Sequence, residues 1–144
     1  MLRLRGFWHW HQCTFFDVQV FNPLAPSNRR LPLPQCFRSH EREKRRAYEQ
    51  RVREVEHGSF TSLVFAATGG MGKAATLTYG RIASLIATKR AQPYCQVIGW
   101  LLCVLGFNLL RSAIICICGT RDQFHVSLVN SEIEVAVCEG RISH

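Results

Sequence analysis

Residues 40–67 read HEREKRRAYEQRVREVEHGSFTSLVFAA and change from a helical pattern to a strand pattern at one glycine. Tyr48, Val52 and Val55 lie at i, i+4 and i+7, which places them on one face of a helix over residues 40–57. Gly58 is expected to follow the C-cap of that helix in the left-handed conformation. This segment therefore predicts a long helix that leads directly into a strand.

Strand patterns lie on both sides of the predicted helix. The run at 60–67 is short, apolar and bounded by glycines, which predicts a buried strand. The segment at 14–21 alternates around Asp17 and Gln19, with β-branched and aromatic neighbours typical of a strand. Between this strand and the helix, residues 22–35 hold four of the five prolines, so we expect an irregular loop without helix.

The second half of the chain is mainly helical in pattern. Helices are predicted at 73–91, ended by Pro93, and at 97–119, and short strands at 124–129 and 133–137. The order strand, loop, helix, strand, helix, helix favours an α/β layer arrangement over a bundle. Four residues of the first of these helices are expected to face inward: Leu77, Ile82, Leu85 and Ile86.

The composition limits the class of protein. The chain has 144 residues, one domain's worth, and its 47% hydrophobic content excludes a wholly disordered protein. A net charge of +8 favours a polyanionic partner, such as nucleic acid or an anionic membrane surface. Seven cysteines form an odd set without a repeated spacing, so a disulfide framework is not expected.

Two patterns suggest ligand sites and remain open against simpler explanations. Residues 68–73, TGGMGK, lie between a strand and a helix, but Ala67 and Ala74 occupy positions where a P-loop has glycine and a hydroxyl residue. A glycine-rich turn is the favoured explanation. A zinc site could take its ligands from His9, His11, Cys13, Cys36 and His40. The two N-terminal histidines alternate with Trp8 and Trp10, however, and this pattern favours an edge strand.

Basic residues are concentrated in and before the long helix. One interpretation is a solvated face interleaved with glutamates, in which Glu41–Arg45 and Glu49–Arg53 form i, i+4 pairs. The other is phosphate contact. The candidate nucleic-acid-binding residues are Arg29, Arg30, Arg38, Arg42, Lys44, Arg45, Arg46, Arg51 and Arg53.

The apolar segment at 97–119 is long enough to span a bilayer, about 35 Å at 1.5 Å per residue. Its twelve Leu, Ile, Val and Phe residues favour insertion, whereas Arg111 alone opposes it by about 2.5–3.5 kcal/mol. A buried helix with Arg111 at its rim and a transmembrane helix are both consistent with the pattern.

Several segments together resemble one family. RGFW at 5–8, FFDVQVFNP at 15–23, the helix segment at 40–60, LVFAATGGMG at 63–72 and LLRSAI at 109–114 resemble the region after the reverse transcriptase in animal non-LTR retroelement open reading frames. The resemblance covers most of the chain, up to Gly119. It implies a restriction-endonuclease-like nuclease of the P-D…(D/E)-x-K type, which uses a divalent metal such as magnesium.

The resemblance also implies that catalytic positions are lost. Asp17 matches the second acid and is the remnant metal ligand and catalytic residue, but Gln19 stands where the family has Lys or Arg. The first acid would fall at Met1 and Leu2, so the expected fold is an N-terminally truncated, partial restriction-endonuclease-like core. No cofactor is expected unless activity is retained.

We therefore expect residues 1–119 to form a catalytically inactive nuclease-like remnant that binds nucleic acid without sequence preference, in the nucleus or cytoplasm, with a weakly structured tail at 120–144. The alternative is a single-span membrane protein with its helix at 97–119 and its basic N-terminal part on the cytoplasmic side. An active nuclease would require Glu49, Glu56 or a partner chain to replace the missing acid. The oligomeric state is not indicated by the sequence.

Overall fold

The computed structural model describes residues 1–118 and, within them, a mixed α/β architecture as predicted. Two compact units are formed, Met1–Leu77 and a second from Thr78 onward. The predicted tail at 120–144, with its strands at 124–129 and 133–137, lies outside the described residues. The elements in chain order are β1 (Leu2–Arg5), β2 (Cys13–Phe21), α1 (Leu33–Val55), β3 (Ser59–Ala66), α2 (Lys73–Arg90) and α3 (Tyr94–Cys118).

The sheet has three strands, and β2 is the central one. β1 pairs with β2 in antiparallel fashion, with Arg3 opposite Phe15. β3 pairs with β2 in parallel, with Asp17 opposite Ser62. Helix α1 makes the crossover that a parallel pair requires. Both strands predicted for this unit, at 14–21 and 60–67, are confirmed to within one residue.

One face of the sheet packs against α1 through an apolar core. The Phe21 and Phe37 rings meet edge to face with their centroids 5.1 Å apart. On the opposite face, Phe7 is fully buried and its ring lies 5.1 Å from that of Phe16. Alternate residues of β2 therefore point to two separately packed faces. The core under α1 consists of Phe21, Cys36, Phe37, Val64 and Ala66.

Helix α1 begins at Leu33, whereas the sequence pattern predicts a start at residue 40. Residues 33–35, which were expected in the irregular loop, are therefore helical. Pro32 is the N-cap and Pro34 lies in the first turn. Proline is tolerated there because the first N–H groups of a helix have no acceptor within the helix. The carbonyl of Pro32 accepts the N–H groups of Gln35 and Cys36 at 2.8 and 3.1 Å.

The end of α1 also differs from the prediction. His57, not Gly58, adopts the left-handed conformation, with φ of 48°. The N–H of Gly58 donates to the carbonyl of Val52 at 3.2 Å. A Cβ at Gly58 would lie 2.7 Å from the carbonyl oxygen of Cys13. Glycine is therefore required here for the close approach of two backbones.

In the second unit, α2 and α3 pack through a small apolar cluster of Ala83, Ile86, Val97 and Leu101. Both helices are confirmed, although α3 starts at Tyr94, directly after Pro93. The inward orientation predicted for Leu77 is wrong, since this side chain is 59% exposed. Leu77 lies nine residues from the buried Ile86, and nine residues is two and a half helical turns, which places it on the opposite side. Ile82 and Leu85 are half-buried.

Candidate nucleic-acid interface

Helix α1 carries an arginine flank, which we define as Arg38, Arg42, Arg45 and Arg46. These residues lie at i, i+4, i+7 and i+8, so they share one side of the helix, and all four are exposed. Arg53 follows Arg46 by seven residues and extends the same side. There it forms the predicted pair with Glu49, at 3.1 Å. Arg51 is exposed but lies off the flank.

Lys44 points to the sheet and not to the arginine flank. Its Nζ lies 2.7 Å from Oδ2 of Asp17, and the two side chains keep only 24% and 19% of their surface exposed. The hydrogen bond to Asp17 raises the pKa of Lys44, an effect that burial partly opposes. The Lys44 ammonium group also lies 5.6 Å above the ring of Tyr48. Its charge is therefore already compensated by a carboxylate of the same chain.

Gln19 also contacts α1, through a side-chain hydrogen bond. Its Nε2 lies 3.1 Å from Nδ1 of His40, whose ring stacks on Phe21 at 4.6 Å between centroids. Within residues 1–118, Oε1 of Gln19 and Oγ of Ser62 are buried without a hydrogen-bond partner. Gln19, where the resemblance implies a Lys or Arg, is thus an amide that contacts a histidine. Asp17 and Gln19 together form a polar row between β2 and α1.

The surroundings of Asp17 do not fit the divalent metal that the resemblance implies. The ammonium group of Lys44 lies 2.7 Å from Oδ2 of Asp17, and a cation at this distance opposes the binding of a divalent metal to the same carboxylate. Among residues 1–118, no group of three His, Cys, Asp or Glu residues is placed to hold a metal ion. Glu49 is paired with Arg53, and Glu56 is exposed at the C-cap of α1.

The residues considered for a zinc site are dispersed. The edge strand predicted for His9 and His11 is not formed. Both residues are exposed in the loop at 6–12 that joins β1 to β2. Cys36 is a buried residue of α1, and its Sγ lies 3.5 Å from the carbonyl oxygen of Asn28. The alternation of Trp8 and Trp10 with the two histidines therefore does not correspond to two faces of a strand, since Trp10 is exposed as both histidines are.

The glycine-rich loop at 68–72 receives a carboxylate from its own chain. Oε1 of Glu41 accepts the N–H of Ala74 at 3.2 Å, in the first turn of α2. The same carboxylate packs against Gly72, where a Cβ would collide with it. A negative side chain at a helix N-terminus satisfies free N–H groups and the helix dipole. Glu41 therefore already accepts from one of the N–H groups at the start of α2 that a phosphate would otherwise contact.

Glu43 and Glu54 of α1 lie away from the arginine flank. Glu43 lies 3.8 Å from Nδ1 of His40, and Glu54 accepts from Gln50 at 3.0 Å. Glu54 follows Glu43 by eleven residues, or three helical turns, so the two share another side of the helix. Between Arg38 and Arg46, the arginines and Glu43 therefore lie on different sides of α1.

Arg29 and Arg30 lie in the turns that precede α1, and both are exposed. The N–H of Arg29 donates to the carbonyl of Ala25 at 2.9 Å. Asn22 closes the same segment, because its carbonyl accepts from Nδ2 of Asn28 at 2.9 Å. The two arginines thus extend from a hydrogen-bonded backbone.

Helix α3 forms a second feature. Tyr94–Cys116 is long and apolar enough to cross a membrane. In the part of the chain described, only 17% of its most apolar 18-residue segment is buried. Phe107 is 73% exposed and Leu110 is 59% exposed. The sequence left open whether this helix is buried, and the structure places most of its apolar side chains at the surface.

Comparisons of the chain with protein-family models, with curated proteins and with solved structures find no match. A function for this chain therefore rests on three features. These are the arginine flank, the Asp17–Lys44 pair and the exposed apolar helix α3.

Proposed function

We propose that the chain is a catalytically inactive remnant of a retroelement endonuclease-like domain that binds nucleic acid without sequence preference. The arginine flank carries this proposal, because its four guanidinium groups share one exposed side of a 23-residue helix. Arginines on a helix surface contact phosphates, which position a nucleic acid but do not read its sequence. The nearby exposed arginines add to the same positive surface: Arg29, Arg30, Arg51 and Arg53.

The separation of charges supports this function over a merely solvated face. Two residues that would weaken or complicate the surface are turned away from it, since Glu41 contacts α2 and Lys44 contacts Asp17. On the flank side, glutamates are found only toward the far end of α1, where Glu49 pairs with Arg53 and Glu56 is the C-cap. The stretch between Arg38 and Arg46 is therefore free to bind an anionic backbone.

The polar row under α1 supports the absence of catalysis. Metal-dependent phosphodiester cleavage needs carboxylates that hold the metal and a cation that stabilises developing charge. Here Asp17 is ion-paired with Lys44, and Gln19 supplies a neutral amide. The parallel β2–α1–β3 unit, with Asp17 on its central strand, is compatible with a partial nuclease-like core.

The salt dependence of binding tests the proposal. Each phosphate contact contributes about 0.9 to the slope of log K against log salt concentration for duplex DNA. We expect Arg42→Ala to lower that slope by about 0.9 in a fluorescence titration between about 50 and 200 mM salt. Arg81→Ala removes one exposed charge from α2, outside the proposed surface, and serves as the matched control. Alanine favours helix at both positions, so folding is preserved.

Two results would contradict the proposal. One is a binding constant that does not change with salt, or that responds equally to Arg42→Ala and Arg81→Ala. The other is magnesium-dependent cleavage of DNA that Asp17→Ala abolishes, which would show that the domain has kept its activity.

As a second candidate function, the exposed helix α3 favours a single-span membrane protein. Its apolar window is mostly unburied, and Lys89 and Arg90 at the end of α2 precede it. Basic residues before a span favour a cytoplasmic location for the preceding part. Carbonate extraction of membranes from expressing cells distinguishes the two candidates. Retention in the membrane pellet supports insertion, whereas quantitative release removes this candidate.

A further inference from the structure

The loop at 6–12 presents one aromatic side chain to solvent. The N–H of Gln12 donates to the carbonyl of His9 at 3.1 Å, which closes a turn with Trp10 and His11 at its centre. The N–H of Gly6 donates to the carbonyl of Gln12 at 3.0 Å, so the base of the loop is also closed. Trp10 thus lies at the apex of an ordered loop.

The three aromatic residues of this loop have different environments. Phe7 is fully buried, and Nε1 of Trp8 donates to Oγ1 of Thr61 at 3.2 Å, so both anchor the loop to the sheet. Trp10 is 63% exposed. The centre of a turn is usually occupied by small or polar residues, so the turn itself does not explain a tryptophan. The anchored neighbours hold this ring outward.

The charge around Trp10 suits an anionic ligand. Residues 1–16 contain Arg3 and Arg5 and no acidic residue. Both arginines are exposed on β1, which leads into the loop, and His9 and His11 flank Trp10. Exposed aromatic rings beside cations are the combination on which single-stranded nucleic acids bind, because unpaired bases stack on the rings while cations contact the backbone.

We propose that Trp10 stacks on an unpaired base, and that the ligand of this chain is single-stranded nucleic acid. This inference rests on the proposed function and names its substrate class. A paired base within a duplex does not expose its ring face to a side chain, so the contribution of Trp10 is specific to single strands. The arginine flank binds phosphates of either form.

The test compares variants of the full chain with a single-stranded oligothymidylate of about 12 nucleotides and with a duplex of the same length. Stacking is worth about 1–3 kcal/mol per base, so Trp10→Leu is expected to lower single-strand affinity by about 5- to 150-fold. Duplex affinity is expected to change less than about twofold. Trp10→Phe keeps a ring and is expected to restore most of the affinity. Trp100→Leu, at another exposed tryptophan, is the matched control.

The outcomes separate this inference from the proposed function. Equal single-strand affinity for Trp10→Leu and the unchanged protein overturns the inference alone, provided that Arg42→Ala still lowers the salt slope. Equal losses for single strand and duplex also overturn it. Binding to neither nucleic acid overturns both proposals. In a Trp8→Phe, Trp100→Phe background, Trp10 is the one tryptophan left. A blue shift of its fluorescence with phosphatidylserine vesicles, without quenching by the oligonucleotide, would assign the ring to a membrane surface instead.

Discussion

Replacement of Lys44 by methionine tests whether the polar row beneath α1 is part of the folded core. Methionine keeps an unbranched side chain of similar length, so packing against Tyr48 is largely retained, but the charge is lost. Asp17 then keeps a carboxylate that is only 19% exposed and has lost the ammonium group at 2.7 Å. The variant therefore isolates the electrostatic contribution of Lys44.

The expected cost lies between those of exposed and fully buried ion pairs. A hydrogen bond to a charged group contributes about 1.5–3 kcal/mol, and breaking a fully buried pair costs about 3–5 kcal/mol. Water still reaches part of both side chains in the Asp17–Lys44 pair, which favours the lower range. We expect Lys44→Met to lower the free energy of unfolding by about 1.5–3 kcal/mol. Arg45→Met removes an adjacent exposed charge and is expected to change it by less than about 0.5 kcal/mol.

Urea denaturation followed by tryptophan fluorescence measures these values. A Trp100→Phe background leaves Trp8 and Trp10 as reporters of the Met1–Leu77 unit. A double-mutant cycle with Asp17→Asn separates the pair from its surroundings and is expected to give a coupling of about 1–2 kcal/mol. Additivity within about 0.5 kcal/mol, or an equal cost for Arg45→Met, would refute the interpretation of Lys44 as a core residue.

Two further predictions concern charged side chains of α1. The hydrogen bond to Asp17 raises the pKa of Lys44 above its ordinary value of 10.5, so the stability that this bond contributes is fully present below pH 10.5 and is lost as pH rises through the folded-state pKa. The difference in unfolding free energy between the unchanged protein and Lys44→Met should therefore shrink above pH 10.5. A difference that stays constant in urea titrations at alkaline pH would contradict this prediction. Glu41→Ala should cost about 1–3 kcal/mol by urea denaturation, because it frees an N–H of α2. Gly72→Ala should cost less in the Glu41→Ala background, since its Cβ would otherwise collide with that carboxylate; equal costs in both backgrounds would contradict this contact.

The predicted elements agree with the structure where neighbouring residues decide the conformation. The alternation around Asp17 and the short apolar run before the glycine-rich loop both predict strands that are present. The exception at the start of α1 has a local cause as well. Proline is excluded from the interior of a helix but not from its first turn, so composition alone overestimated the length of the loop.

The contact partners of charged side chains were predicted less well than the helices and strands. Lys44 looked like one member of a basic cluster, and Glu41 looked like a partner of Arg45. Their actual partners, Asp17 and Ala74, lie 27 and 33 residues away in the sequence. No local spacing rule predicts such contacts, because they depend on how α1 lies across the sheet.

The sequence by itself determined the type and order of the elements from β2 to α3, the net charge and the apolar character of α3, because these follow from local backbone preference and composition. Strand β1 was not predicted, because its four residues are held in a strand by pairing with β2. Only the tertiary structure decided which charges remain available. Packing α1 against β2 and β3 turned Lys44 and Glu41 toward partners inside the molecule and left the arginine flank in solvent. The physical reason is that a helix has several sides, and only its docking on the sheet determines which side is buried.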